Sequence, residues 1–255
     1  LPLLDVRPVK KLLVVLITSN RGLCGSFNSN IIRKTSAQLK DPKNISRQRT
    51  EMGDMEASEE VEIDVIGIGK KGADFAKKNN YNLIASYSEF SDTPKLDAIM
   101  PISQMIIDEY TKGNYDKVVV AYTDFKSAIA QVAKFRQVLP GSETDIEKMI
   151  GELGSDKDAK DKENEEKKEI ADYVFEPSKS EVLETILPRL VETQVYQAVL
   201  ESSASEHSAR MMAMRNASDA AEDMIKELNL TFNKARQAAI TQEIAEIAGG
   251  AAALE

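Results

Sequence analysis

The most constraining feature of the sequence is a stretch from Ser180 to about Ala248 that contains no glycine and a single proline, Pro188. Glycine and proline interrupt helices more strongly than any other residues, so the stretch predicts one long helix. At about 1.5 Å per residue, the part beyond Pro188 would measure roughly 90 Å. A globular domain of this chain length cannot enclose such a helix, so part of it is expected to lie outside any domain core.

Within this stretch, apolar and small residues recur at alternating spacings of three and four, which is the pattern of a coiled-coil seam. The seam residues are Met211, Met214, Ser218, Ala221, Ile225, Leu228, Phe232, Ala235 and Ala239. A seam requires a partner helix, and no second segment of the given sequence is long enough to supply one. Residues 178–255 are therefore predicted to form half of a coiled-coil shaft.

The first 177 residues alternate short apolar runs with helical patterns. Predicted strands cover residues 11–18, 61–68, 83–87 and 117–122, and predicted helices cover residues 26–39, 69–78 and 103–112. Such alternation favours an α/β fold with a mostly parallel sheet and helices on both faces. Residues 1–177 are accordingly predicted to form a Rossmann-like α/β domain. Residues 127–139 are predicted to be an extended edge strand with a bulge.

Two polar segments interrupt this alternation. Residues 41–60 contain Pro42 and lack an apolar period, which predicts a loop or insertion with one helical turn at most. Residues 141–170 form the second segment, and the part between Ser155 and Glu169 holds seven acidic and five basic side chains. This composition offers little apolar surface for packing, so a mobile insertion or a solvated helix is predicted there.

The charge balance excludes one class of function. The chain has 33 basic and 42 acidic side chains, a formal net charge of −9. An excess of anions cannot neutralise a phosphate backbone, so no binding to nucleic acid is expected. No apolar run reaches the 18 residues of a membrane-spanning helix, so a soluble or peripheral protein is expected.

The single cysteine, Cys24, cannot form an intramolecular disulfide, which favours a reducing compartment on the cytosolic side.

One motif is compatible with nucleotide binding. Residues 67–72 (GIGKKG) have the G-x-G-x-x-G pattern between a predicted strand and a predicted helix, and Glu89 lies in the range of a ribose-binding acid. However, the motif follows the second predicted strand and has two lysines inside the turn. It is interpreted as a tight strand-to-helix connection. A nucleotide-binding α/β enzyme that uses Gly67, Gly69 and Gly72 remains the alternative function.

No catalytic, cofactor-binding or metal-binding residue is predicted. The only histidine, His207, lies in the predicted long helix, and one histidine cannot build a histidine-rich zinc site. Cys24 follows a turn, and no second histidine is available to activate its thiol as a nucleophile. We interpret both side chains as structural or surface residues.

Four segments together resemble the γ subunits of rotary F-type ATP synthases, which form the central-stalk shaft. They are LLVVLITSNRGLCGSFNSNI at residues 12–31, DYVFEPS at 172–178, ASEHSARMMAMRNASDAAEDMI at 204–225 and NKARQAAITQEIAEIAGGAAAL at 233–254. The family begins with a long N-terminal helix that winds around the C-terminal one, whereas this sequence begins just before its first strand. We expect that absent helix to be the partner of the seam.

The resemblance implies a non-catalytic rotor subunit without a cofactor. Such a subunit couples proton-driven rotation of the c-ring to ATP synthesis or hydrolysis in the hexamer of α and β subunits. The implied partners are the α and β subunits, the ε subunit and the c-ring. The implied location is peripheral, on the cytoplasmic face of the bacterial inner membrane.

The resemblance also implies two sets of contact residues. Five residues of the long helix fall at family positions that contact loops of the β subunits, namely Arg210, Arg236, Gln237, Thr241 and Glu243. The spacing supports part of this set, because Arg236 and Glu243 are seven residues apart and lie on nearly the same face of a helix. Tyr173 and Glu176, within DYVFEPS, resemble the foot that meets the c-ring.

Overall fold

The computed structural model describes residues 1–47, 49–50, 53–54, 60–88, 93–141 and 179–252. The chain divides into two compact units, Leu1–Ala209 and Arg210–Glu255. The described strands are β1 (Lys11–Ile17), β2 (Arg49–Thr50), β3 (Gly53–Asp54), β4 (Glu62–Ile68), β5 (Asn82–Tyr87), β6 (Lys117–Ser127) and β7 (Ala130–Leu139). The described helices are α1 (Phe27–Leu39), α2 (Pro42–Ser46), α3 (Lys70–Lys78), α4 (Leu96–Thr111) and α5 (Lys179–Ala252), and Pro2–Leu4 form one 3₁₀ turn.

The first unit is built on a five-stranded sheet in the order β5-β4-β1-β6-β7. The pairs β1–β4, β1–β6 and β4–β5 are parallel, and β6 and β7 form an antiparallel hairpin. Val14 of β1 lies between Val65 of β4 and Val119 of β6. The predicted mostly parallel α/β fold is therefore confirmed, with β1 in the central position.

Each face of β1 enters a separate apolar core. Residues 12–16 have no exposed surface, and successive side chains of a strand point to opposite faces. On one face the core includes Leu12, Val14, Leu16, Ile31 of α1 and Ala76 of α3. On the other face it includes Leu13, Val15, Ile17, Ile106 of α4 and Val195 of α5. Both faces of the sheet are thus covered by helices, as a buried parallel sheet requires.

The first part of α5 belongs to this domain core. Its buried apolar residues recur at helical spacing, and they are Leu187, Val191, Val195, Ala198 and Val199. Burying a Val or Leu side chain contributes roughly 1.5–3 kcal/mol relative to leaving it exposed. The long helix is consequently part of the fold of the first unit, because it supplies one side of its second core.

Helix α4 begins earlier than the sequence predicts. The sequence predicts a start at Ser103, but the helix runs from Leu96 with Pro101 inside it. Proline removes one helix hydrogen bond. Here the proline is exposed, while Ile99 and Ile102 on either side of it are fully buried. The burial of this continuous apolar face outweighs the lost hydrogen bond.

Other boundaries shift in smaller ways. Strand β6 continues past Tyr122 to Ser127, and the predicted edge strand begins at Ala130, with register shifts in its pairing to β6. Residues 41–60 contain the predicted helical turn as α2 and also the hairpin of β2 and β3. Ser26, the first residue of the predicted helix, immediately precedes α1, and its side chain makes no capping hydrogen bond. The acidic and basic insertion predicted within residues 141–170, except Gly141, lies outside the described residues.

The connection from β4 to α3 requires glycine at one position. Gly69 has a φ of +92°, a region that residues with a Cβ atom rarely adopt. A Cβ atom at this residue would also lie 2.1 Å from the carbonyl oxygen of Thr18. The close approach of two backbone segments, rather than a ligand, therefore explains this glycine.

We expect Gly69→Ala to lower the free energy of unfolding by about 2–4 kcal/mol, because it combines backbone strain with a clash against rigid backbone. Gly22→Ala is the matched control, because a Cβ atom at Gly22 meets nothing within 4 Å. Urea unfolding of both variants measures the difference. Equal stability of the two variants would show that the turn relaxes without cost.

We expect Ile106→Ala to lower the free energy of unfolding by about 2–5 kcal/mol, because it leaves a cavity beneath α4 in the second core. Ile106 is fully buried, whereas Ile129, between β6 and β7, is 80% exposed. Ile129→Ala, which removes the same atoms, should change stability by no more than about 0.5 kcal/mol. A comparable loss in both variants in chemical denaturation would contradict the assigned core.

Candidate functional site

The glycine turn at residues 67–72 lies at the carboxyl end of the parallel strands, where α/β folds commonly bind ligands. The first amides of a helix normally lack partners within the helix and can bind a phosphate. Here four successive backbone amides already donate hydrogen bonds to other protein atoms. The bonds are Gly69 N–H to Tyr87 O (2.8 Å), Lys70 N–H to Asn20 Oδ1 (3.0 Å), Lys71 N–H to Ser19 O (3.3 Å) and Gly72 N–H to Thr18 Oγ1 (2.7 Å).

These hydrogen bonds leave the turn without the donors that a pyrophosphate needs. Thr18, at the end of β1, also accounts for the close packing at Gly72, because a Cβ atom there would lie 3.0 Å from its hydroxyl oxygen. Glu89, the predicted ribose-binding acid, lies outside the described residues. These hydrogen bonds thus give the turn a structural role, because they hold the start of α3 against the end of β1. They do not favour the alternative of a nucleotide-binding enzyme.

The other reactive side chains do not assemble into a site. Cys24 is buried, and the side-chain amide of Asn28 donates to its sulfur at 3.2 Å. His207 lies on the exposed surface of α5. Within the described part of the chain, no group of three or more His, Cys, Asp or Glu residues is placed to hold a metal ion. None of the helices described there has the length and hydropathy to cross a membrane.

The second unit carries an exposed apolar stripe. Every described side chain from Met214 to Ala251 is exposed. The larger apolar members of the predicted seam are exposed by 40–66%, and they are Met211, Met214, Ile225, Leu228 and Phe232. Apolar residues that remain exposed in a regular row mark an interaction surface. This surface is the principal candidate functional site of the chain.

The residues predicted to contact β subunits lie on the same helix but are not equivalent. Arg236, Gln237, Thr241 and Glu243 are exposed. The hydroxyl of Thr241 donates to the carbonyl oxygen of Gln237 at 2.8 Å, so both residues lie on one side of the helix. Arg210 is half-buried and interacts with other residues of the chain. Tyr173 and Glu176, the predicted foot, lie outside the described residues.

Sequence reasoning missed a polar cluster between α5 and β6. Its members are Asp124 of β6 and Glu201 of α5, together with the serines Ser202, Ser205 and Ser208. The only available signal was the recurrence of small polar residues every three positions in an otherwise apolar helix face. The two carboxylates gave no signal, because acidic residues are frequent throughout this chain.

Comparison with known sequences identifies relatives along almost the whole chain. The ATP synthase family model matches residues 1–254. The ATP synthase gamma chain of Roseiflexus castenholzii is 40% identical over 253 residues, which cover 99% of this chain and 76% of the relative. The ATP synthase gamma chain of Flavobacterium psychrophilum is 41% identical over 249 residues, covering 98% of this chain and 75% of the relative.

Comparison with solved structures supports the fold. A chain of the Euglena gracilis mitochondrial ATP synthase, in its OSCP/F1/c-ring structure, aligns with a TM-score of 0.61 at 22% identity, covering 96% of this chain and 73% of that one. A chain of the Tetrahymena thermophila mitochondrial ATP synthase central stalk and c-ring aligns with a TM-score of 0.56 at 24% identity, covering 84% and 79%.

The family resemblance predicted from four sequence segments is therefore confirmed by relatives that extend over the whole fold. The structure agrees, because the amides of its glycine turn are hydrogen-bonded within the protein and its exposed apolar stripe follows the predicted seam. The chain belongs to the ATP synthase gamma chain family.

Proposed function

We propose that this chain couples rotation of a c-ring to the three catalytic sites of an α/β hexamer, through contacts that its C-terminal helix makes with the β subunits. A gamma chain is a structural rotor subunit of ATP synthase and not the catalytic subunit. The observation that carries the proposal is that every described side chain of the C-terminal helix from Met214 to Ala251 is exposed and so accessible to partners. The apolar stripe, which includes Met211, Ile225 and Phe232, is the part of this surface that we expect the N-terminal helix of the family to cover.

The asymmetry of the helix surface supplies the mechanism. The apolar stripe lies on one side of the helix, and exposed charged residues such as Asp223 and Lys226 lie on the other, so the two sides differ in chemistry. When the helix turns, each of three surrounding β subunits meets a different side. Contacts that differ between conformations shift the equilibrium between them, so each catalytic site changes its affinity in turn.

The remaining partners follow from family membership. The ε subunit and the c-ring bind the first unit in this proposal, with Tyr173 and Glu176 forming the foot on the ring. The chain is part of an ATP synthase complex associated with a membrane. We assign it to the cytoplasmic face of a bacterial inner membrane, because the relatives named above with about 40% identity come from bacteria.

We expect Arg236→Ala to reduce coupled turnover of the assembled enzyme while nucleotide binding to the β subunits stays unchanged. A lost contact of about 1.4 kcal/mol in the rate-limiting state corresponds to a roughly tenfold fall in rate. Arg33→Ala is the matched control, because Arg33 is also an exposed arginine but lies on α1 in the first unit. ATP synthesis in proteoliposomes measures both variants, and equal rates for the two would refute the contact.

We expect Tyr173→Cys to form a disulfide with a cysteine introduced into the polar loop of the c-ring. Thr241→Cys is the control, because Thr241 belongs to the helix region assigned to the hexamer and should give no such product. Gel electrophoresis without reductant detects the crosslink. Absence of the crosslink with Tyr173→Cys in an assembled complex would contradict the assignment of the foot, and it would leave the hexamer contacts unaffected.

A further inference from the structure

Three serines bring α5 close to the end of β6. The hydroxyl of Ser205 donates to the carbonyl oxygen of Thr123 at 3.2 Å, and the hydroxyl of Ser208 donates to the carbonyl oxygen of Ala128 at 2.7 Å. The amide of Thr123 donates to the hydroxyl oxygen of Ser202 at 3.5 Å. Small side chains permit this close approach, and their hydrogen bonds fix the position of the helix on the strand.

Two carboxyl groups meet beside these serines. Asp124 is only 5% exposed, although it lies near the end of β6. Its Oδ2 atom is 3.1 Å from Nζ of Lys126 and also forms an ion pair with Lys134 of β7. Glu201 of α5 and Asp124 each adjoin a residue of the contact between Ser202 and Thr123, and their carboxyl groups interact with each other.

The two oxygens of Glu201 have different surroundings. Oε1 accepts a hydrogen bond of 2.9 Å from the side-chain amide of Gln197. Oε2 of Glu201 is buried and accepts no hydrogen bond from the described residues, and the same holds for Oδ2 of Asp124 apart from its ion pairs with Lys126 and Lys134. A buried carboxylate oxygen without a donor is costly, and two adjacent carboxylates repel each other. A single proton placed between the groups removes both costs, because Glu201 then donates to Asp124.

We propose that Glu201 and Asp124 share one proton, which is carried by Glu201, and that this proton fastens α5 to β6. The net charge of the pair is then −1, and the pair lies beside the ammonium groups of Lys134 and Lys126. On ionisation the proton passes to water and the pair becomes doubly charged. The inference concerns the folded chain alone, so it stands independently of the proposed contacts with β subunits.

The electrostatics of the surrounding elements agree with this assignment. Burial raises the pKa of Glu201, the hydrogen bond to Asp124 raises it further, and Gln197 and Lys134 oppose the rise. Burial also tends to raise the pKa of Asp124, but the hydrogen bonds from Lys134, Lys126 and Glu201 outweigh burial and lower that pKa to about 2.

The remaining charged or titratable groups that face the cluster come from the neighbouring strands. They are Tyr122 of β6 and Arg136 of β7. The pKa of Tyr122 is raised by burial and by the nearby carboxylates, so this phenol stays neutral in the relevant range. Among the described groups of this cluster, Glu201 is therefore the carboxyl whose pKa is raised towards neutral pH.

The sign of the pH dependence follows from linkage. The pKa of Glu201 is raised in the folded state, so the folded chain binds more protons than the unfolded chain above the ordinary value of 4.5. The stability contributed by this group is complete below that value and is lost as the pH rises through the folded pKa. Asp124 acts oppositely, because its contribution is lost only when the pH falls towards about 2.

The direct test is a titration of the Glu201 carboxyl carbon by ¹³C NMR in the full chain. The resonance is assigned through bonds from its own side-chain carbons, so the measurement needs no variant. We expect the Glu201 pKa to lie clearly above the ordinary value and to fall in Asp124→Asn, because the neighbouring anion is then absent. A midpoint near the ordinary value of 4.5 would overturn the proposal.

A stability measurement gives an independent readout. The equilibrium constant of unfolding in urea should rise more steeply with pH above 4.5 in the native chain than in Glu201→Gln, by at most about tenfold per pH unit for one proton. Glu201→Gln keeps a hydrogen-bond donor without a titrating group, so the contribution of Glu201 is absent from this variant. Glu184→Gln, which removes an exposed carboxyl of α5, is the control. An identical rise in the native chain and in Glu201→Gln would overturn the proposal.

Discussion

The burial of β1 on both faces is the constraint on which the rest of the structure depends. A strand with the sequence KLLVVLI gains stability only if neither face remains in water, so the sheet needs helices on both sides. Helices α1 and α3 cover one face. The other face is covered by α4 together with the first part of α5. The helix that the chain presents to its partners is therefore also a component of its own core.

The sequence predicted the elements whose patterns are local. Strand β1 and the long helix follow directly from uninterrupted apolar runs and from the absence of helix breakers. The predicted start of α4 at Ser103 was wrong, because the tertiary burial of Ile99 extends the helix through Pro101 to Leu96. The short hairpin of β2 and β3 gave no periodic signal at all, since a strand of two residues cannot show alternation.

The candidate sites were likewise predictable where they depend on a local pattern and not where they depend on the tertiary fold. The apolar stripe was predictable because its spacing is a property of one helix. The closure of the glycine turn was not, because the acceptors Thr18 and Asn20 come from another loop and face the turn only after β1 and β4 pair. The contact of Asp124 with Glu201 depends on how α5 packs against β6, and no local sequence pattern predicts that packing. Resemblance to a family supplied the contact residues such as Arg236, and they remain proposals.

The continuity of α5 through both compact units has a consequence for how the chain tolerates mutation. Up to Ala209, a substitution on the inward face of the helix, at residues such as Val195 and Ser205, changes the packing against the sheet and so the stability of the fold. Beyond Arg210, the described side chains from Met214 onward meet water, and selection on them acts through other molecules. A saturation scan of the isolated chain, scored by stability, would therefore find a sharp rise in the number of tolerated substitutions within one uninterrupted helix. A scan scored by cell growth would show no such rise.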